Sequence, residues 1–376
     1  MDEVYLDNSA TTMPCHAALE KMLEILTKKY GNPSSLHEKG LEAECEVELA
    51  RDIIAKAVGA ECREIFFTSG GTEANNLALF GSVEANKRRG NKIVTTAIEH
   101  SSVFNSAKEL EKSGLNVVYL TPDKSGQITA SQLEDAIDEK TALVSVMYVN
   151  NELGAVLPVE TLKRAIKTKK SPALLHIDAV QAFGKIPVNV EKLGADLLSV
   201  SAHKVHGPKG VGALFVRRGV KIAPRMFGGE QQQKLRPGTE AVPLIAGFGA
   251  AVKQLRLSEQ YEAIRSLNEL CRRELQKISK IDINSPNTAI PHILNISTNA
   301  IKSETMLHFL SSEGIFVSSG SACAKGKKSR VLTEMGFSQR RIDTALRVSF
   351  SRYNTKSDVE EFVRRVRAGM ETLARI

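Results

Sequence analysis

Two short apolar runs, Ala173-Leu-Leu-His-Ile177 and Asp196-Leu-Leu-Ser-Val200, constrain this chain more than any other feature. Each has the length of one buried strand, and near-continuous runs of this kind suit a parallel sheet covered on both faces. Both end abruptly in polar residues: Asp178-Ala-Val-Gln181 after the first, and Ser201-Ala-His203-Lys204 with Gly207-Pro-Lys-Gly210 after the second. In an open α/β sheet the carboxyl ends of the strands are where ligands sit. A lysine delivered there has two good uses, a phosphate contact or a Schiff base with an aldehyde cofactor. The acid upstream favours the second, because a pyridinium nitrogen needs a buried carboxylate partner.

The rest of the first 216 residues repeats the alternation. Strand patterns at 65–68, 93–96, 117–120 and 143–148 are separated by a turn opening a helix at 70–76 and by helical patterns at 102–112, 131–138 and 160–169. Such spacing predicts parallel βαβ crossovers and a three-layer α/β sheet. One long helical pattern then runs from about 244 to 278, followed by strands at 292–297, 315–318 and 346–350 and a closing helix over 357–375. We expect a large domain over 13–250 and a small α+β domain made of 1–12 and 251–376. At 376 residues, 42% hydrophobic and 25% charged, the chain has ample material for two cores. It holds no apolar run near the ~20 residues of a membrane span, and its start lacks a signal-peptide pattern. We expect a cytoplasmic protein.

The net charge of +8 is unevenly placed. Residues 251–376 carry 21 Lys and Arg against 13 Asp and Glu, whereas the first 250 carry 30 of each. A basic face of this kind can recruit an acidic protein or an RNA, but solvated surface is the commoner explanation, and no RNA-binding module is recognisable. Five cysteines, with no C-x-x-C pair, argue against a disulfide framework or a zinc site. Cys15, Cys45, Cys62 and Cys271 fall in helical patterns or at their ends and read as small buried hydrophobes. Cys323 differs: it sits in Val317-Ser-Ser-Gly-Ser-Ala-Cys323-Ala-Lys-Gly-Lys-Lys-Ser329, a small, polar, basic loop where nearby lysines would raise the thiolate fraction.

Three further features carry chemistry. Ser69-Gly70-Gly71-Thr72 opens a helix after a strand, so backbone N–H groups and the Thr72 hydroxyl could cradle a phosphate, joined by Ser201 and His203. His100 and Asn150-Asn151-Glu152 follow strands at the same sheet edge, although a turn explains the second as readily. Arg347, in a strand pattern, is either a surface ion pair or the bidentate clamp of an α-carboxylate.

Together these residues resemble the cysteine desulfurases, pyridoxal-phosphate enzymes of the class V aminotransferase group. The resemblance runs from Tyr5-Leu-Asp-Asn-Ser-Ala-Thr-Thr12 and Gly31-Asn-Pro-Ser-Ser-Leu-His37 to Arg347-Val-Ser-Phe350 and Tyr353-Asn-Thr355. It is sharpest at Ser201-Ala-His-Lys204 and Ser318-Ser-Gly-Ser-Ala-Cys323, the second resembling the subgroup with a long cysteine loop. The resemblance implies the fold type I architecture of such transferases, a mainly parallel sheet flanked by helices plus a smaller α+β domain. It implies that Lys204 holds the cofactor and later moves the substrate α-proton, while Asp178 keeps the pyridine nitrogen protonated and Gln181 contacts the ring hydroxyl. His100 would stack on the ring as an acid–base group; Gly71, Thr72, Ser201 and His203 would hold the phosphate, with Thr239 reaching it from the partner subunit of a homodimer. Asn151 and Arg347 would bind the carboxylate of L-cysteine, and Cys323 would take its sulfur as a persulfide for an iron–sulfur scaffold or a tRNA-thiolating enzyme. The stretch between Cys323 and Val331 is shorter than in familiar members and rich in lysine. The nearest rival readings are a selenocysteine lyase or a true aminotransferase, which needs no thiol; a non-catalytic RNA-associated scaffold is the more distant one.

Overall fold

The computed structural model describes residues 3–123, 125–319 and 328–375; Cys323 lies outside them. The two apolar runs become adjacent strands, Leu174–Asp178 and Leu197–Ser201, near the middle of a seven-stranded sheet. The spatial order is Ile65–Thr68, Gly212–Val216, Leu197–Ser201, Leu174–Asp178, Thr141–Met147, Lys92–Thr96, Asn116–Leu120. Leu175, Ile177, Leu198 and Val200 are at most 2% exposed, so both faces are covered. A polar residue substituted there without a partner would cost about 1–3 kcal/mol.

All strands run parallel except Gly212–Val216, which is antiparallel to both neighbours. The sequence pattern gives no warning of this reversal, but chain length requires it. Only the segment 202–211 separates this strand from the one before it, too short for a parallel crossover. In register, Asp178 lies opposite Met147 on one side and Ser199 on the other, so neighbouring strands end together. Their C-terminal ends therefore form one edge, with the helices Gly71–Ala85 and Ser101–Lys112 opening beside it.

A second hydrophobic cluster gathers around a three-stranded antiparallel sheet, in the order Ala345–Ser349, Ile293–Ser297, Asp282–Ile283. Val4–Tyr5 pairs in parallel with Ile315–Phe316, and Val4 and Leu6 pack in this cluster with Ile264, Leu310 and Phe362. The long helical pattern after residue 244 resolves into two helices, Val242–Lys253 and Leu257–Leu275. The break has a packing cause: Ile245, Phe248 and Val252 belong to the main core, whereas Ile264, Cys271 and Leu275 belong to the second. One straight helix could not serve both. Of the four helix-associated cysteines, Cys15 and Cys271 are buried as expected, but Cys62 is half-buried and Cys45 exposed, so packing does not explain the latter. Cys45 lies on the outer face of Glu38–Val58, between the buried Ala43 and Val47.

Candidate active site

The strand ends surround a cavity of about 780 Å³, a volume typical of cofactor and ligand sites. Every site residue singled out from sequence lines it except Thr239, which is exposed elsewhere, and Cys323, which is not among the described residues.

Lys204 lies in a single turn just past its strand and donates to the carbonyls of Ser9 (2.5 Å) and Ala10 (2.7 Å). Asp178 closes the neighbouring strand. Its Oδ2 accepts from Asn75 Nδ2 at 2.8 Å and its Oδ1 from the Val180 amide at 3.0 Å. The same Asn75 nitrogen donates to Ser102 Oγ, whose oxygen lies 2.8 Å from His100 Nδ1. His100 caps the helix Ser101–Lys112 by accepting the Ser102 amide at Nδ1. That bond leaves Nε2 to carry the proton of a neutral ring. Burial lowers the His100 pKa, with Asp178 opposing and Lys204 reinforcing the shift. Asp178, Asn75, Ser102 and His100 are thus one connected network, in which Asn75 and Ser102 went unnoticed in the sequence. Nothing local marks them, because each matters only for what it holds.

Beside Lys204, the helix Gly71–Ala85 begins at Gly70, which takes φ = +153°, a conformation L side chains avoid. A Cβ on Gly71 would meet Val180 Cγ2 at 2.7 Å. Ser201 Oγ is buried here and has no hydrogen-bond partner. An orphaned hydroxyl beside a glycine-opened helix N-terminus fits a phosphate, which would accept from both. His203 borders the same end, its Nδ1 3.2 Å from Thr11 Oγ1. Its pKa falls to about 4, chiefly through burial and then through Lys204 and Lys209.

The facing wall comes from distant parts of the chain. Arg347, expected from sequence either at the surface or in a clamp, is only 1% exposed. It donates to Asp7 Oδ1 at 2.8 Å and to the Asn151 carbonyl at 2.9 Å. Asn150 makes the turn, its Oδ1 accepting the amides of Glu152 and Leu153, and this leaves Asn151 in the lining. Arg330, missed in the sequence, donates to the Glu99 carbonyl and lies 3.7 Å over the Phe104 ring. Ser329 Oγ bonds Glu152 Oε2 at 2.5 Å. Burial pushes the Glu99 carboxyl up to about 8 and raises that of Glu152 as well.

A donor for a phosphate, a carboxylate for a ring nitrogen, an imidazole and an amine around one cavity fit pyridoxal phosphate. The comparisons agree. Residues 4–362 match the family model described as aminotransferase class-V. A cysteine desulfurase IscS of Methanosarcina thermophila is 42% identical over 363 residues, 95% of this chain and 89% of that one.

The chain belongs to the cysteine desulfurases of the class-V aminotransferase family.

Among solved structures, a NifS-like protein superimposes with a TM-score of 0.94 at 39% identity, covering 99% of this chain and 100% of that one. Another, titled SspA in complex with cysteine, has a TM-score of 0.83 at 35% identity and covers 94% and 100%. Like its family, this α/β chain is a pyridoxal-phosphate enzyme.

Proposed function

We propose that this enzyme removes sulfur from L-cysteine, leaving L-alanine and a persulfide on Cys323. The observation that carries the reading is the convergence of Lys204, Asp178 and the orphaned Ser201 hydroxyl on one cavity, with Arg347 facing them. When bound, pyridoxal phosphate supplies an electron sink that lets an amino acid lose its α-proton and labilises the Cβ–Sγ bond.

The residues divide the work. Lys204 anchors the cofactor and then carries the α-proton. Asp178, held by Asn75 and the Val180 amide, keeps a proton on the ring nitrogen. Gln181 contacts the ring hydroxyl; Gly71, Thr72, Ser201 and His203 take the phosphate. His100, neutral and with Nδ1 occupied, is available at Nε2 for stacking and proton transfer. Arg347 and Asn151, which share the cavity lining, bind the substrate carboxylate. The Cys323 thiolate then attacks the substrate sulfur. An S–S bond forms, the Cβ–Sγ bond breaks, its electron pair returns to Cβ, and protonation there gives alanine.

The acceptor of the persulfide sulfur is an iron–sulfur scaffold, as the IscS name of the relative suggests, or a tRNA-thiolating enzyme. The enzyme works as a homodimer, with Thr239 reaching the partner's phosphate site. Supporting this are Leu19, Leu23, Leu26, Leu41 and Leu49, all exposed on the first two helices, and the exposure of Thr239 outside its own cavity. Residues 13–250 act as the cofactor-binding domain, and 1–12 with 251–376 as the domain carrying the cysteine segment. Its place is the cytoplasm; no helix among the described residues is long and apolar enough to cross a membrane.

Mass spectrometry after exposure to L-cysteine tests the reading, with added sulfur on Cys323 and stoichiometric alanine expected. Cys323→Ser should keep the visible absorbance of the cofactor and release no sulfide. Unchanged turnover in that variant would favour a lyase or aminotransferase that does not need the thiol.

A further inference from the structure

Behind the cavity lies a lysine that the reaction does not use. Lys185 is buried, in the turn that follows the strand bearing Asp178. Its Nζ donates to Gln181 Oε1 at 2.5 Å, and Gln181 Nε2 in turn donates to the Ser9 carbonyl at 2.9 Å. That carbonyl is also an acceptor for Lys204. The Gln181 amide therefore links Lys185 to Ser9, whose carbonyl Lys204 shares, and the order of the bonds matters. An amide side chain has a donor end and an acceptor end that look alike in shape and differ only in what lies opposite. Ser9 offers an oxygen, which favours the donor end, and Lys185 offers N–H, which favours the acceptor end; the orientation rests on both bonds.

We propose that Lys185 is a positioning residue whose buried amine holds Oε1 of Gln181, so that this side chain presents only its N–H edge to the ring hydroxyl of the cofactor. The inference rests on the functional reading above, which places Gln181 against that hydroxyl. With Lys185 removed, the amide can turn its carbonyl oxygen toward the cavity, where it would meet a negatively charged ring oxygen. A lysine suits the task because its stem crosses apolar packing while its head delivers a donor.

Burial drives the Lys185 pKa well below its ordinary value, with Lys204 and Arg347 adding to the fall. The other titratable groups that feel it are the imidazoles of His203, His206 and His292. Burial thus disfavours the charged form, and the amine acts on Gln181 through its hydrogen bond. A small cavity of about 30 Å³, lined by Lys185, Lys204, His206 and His292, lies on the same side. It leaves the amine room without exposing it.

The test uses the holoenzyme and follows the pH midpoint of its visible absorbance. An amide N–H on the ring oxygen stabilises negative charge there and so lowers proton affinity beside it. Lys185→Met, which keeps length and removes the donor, should raise the midpoint by about half a unit or more. Lys185→Gln, which restores an N–H, should recover part of the shift, and it carries the test if the Met variant does not fold. In a Gln181→Leu background the Lys185 substitution should add nothing, because its route of action is gone. An unchanged midpoint in folded Lys185→Met, or an equal shift with and without Gln181, would overturn the proposal. A wild type with no visible band would instead overturn the functional reading itself.

Discussion

The floor of the cavity and the wall facing it are built in opposite ways. The floor takes Asp178, Gln181, Ser201, His203 and Lys204 from the ends of two adjacent strands, with Asp178 held in register against Ser199. The wall takes Arg347 and Asp7, which are 340 residues apart, and joins them by one ion pair of 2.8 Å. Isolated bridges from Asp7 to Ser349 and from Ser318 to Arg347 fix that junction. A floor set by sheet register is suited to hold a cofactor whatever substrate arrives. A wall set by long-range ion pairs is suited to choose the substrate. Changes to the floor should therefore damage catalysis of every amino acid, and changes to the wall should damage affinity for one.

The largest effect should come from Asp178→Asn, which on the proposed function would leave the ring nitrogen without an anionic partner. We expect kcat to fall by about a hundredfold or more with KM nearly unchanged, measured as alanine formation. Arg347→Lys tests the wall. A point charge cannot keep two directed bonds to Asp7 and Asn151 and also clamp a carboxylate. KM for L-cysteine should rise roughly tenfold or more, with a smaller change in kcat. The reverse pattern in the two variants would dissolve the distinction between floor and wall.

Two smaller effects concern the seam between these regions. In the folded chain Glu99 holds its proton up to about pH 8, against 4.5 as its ordinary value. Because the unfolded chain ionises first, the folded state loses stability from Glu99 as pH rises through that window, and the loss is constant above it. Below pH 4.5 both states are protonated and the contribution vanishes. Glu99→Gln removes the titration, so its melting temperature relative to wild type should climb by about 5 °C between these limits. A pH-independent difference would show that the carboxyl is ionised when folded. Ser329→Ala should have the least effect. The hydroxyl caps the helix Arg330–Glu334 at the Leu332 amide and bonds Glu152. Its loss should cost about 1 kcal/mol, read as a melting point a few degrees lower.

The same division decides what the sequence reveals. Floor residues were legible because local pattern encodes them: an apolar run ends, and polar residues follow at the sheet edge. The glycine-opened helix at Gly70 and Gly71 was legible for the same reason. Arg347 was ambiguous, since only pairing across the whole chain tells a buried arginine beside the cavity from one in a surface ion pair. Asn75, Ser102 and Arg330 were not legible at all, because each acts on a neighbour far away in sequence. The reversal of Gly212–Val216 was hidden too, since its composition equals that of a parallel strand and only the short connection betrays it. The break between Val242–Lys253 and Leu257–Leu275 escaped because the helical period continues while the core it faces changes.

Borohydride reduction of the purified holoenzyme, followed by peptide mapping, tests the central claim most directly. The expected result is a pyridoxyl group on Lys204 and on no other lysine, Lys185 included. A label on another residue, or none on a protein that still forms alanine from L-cysteine, would contradict it.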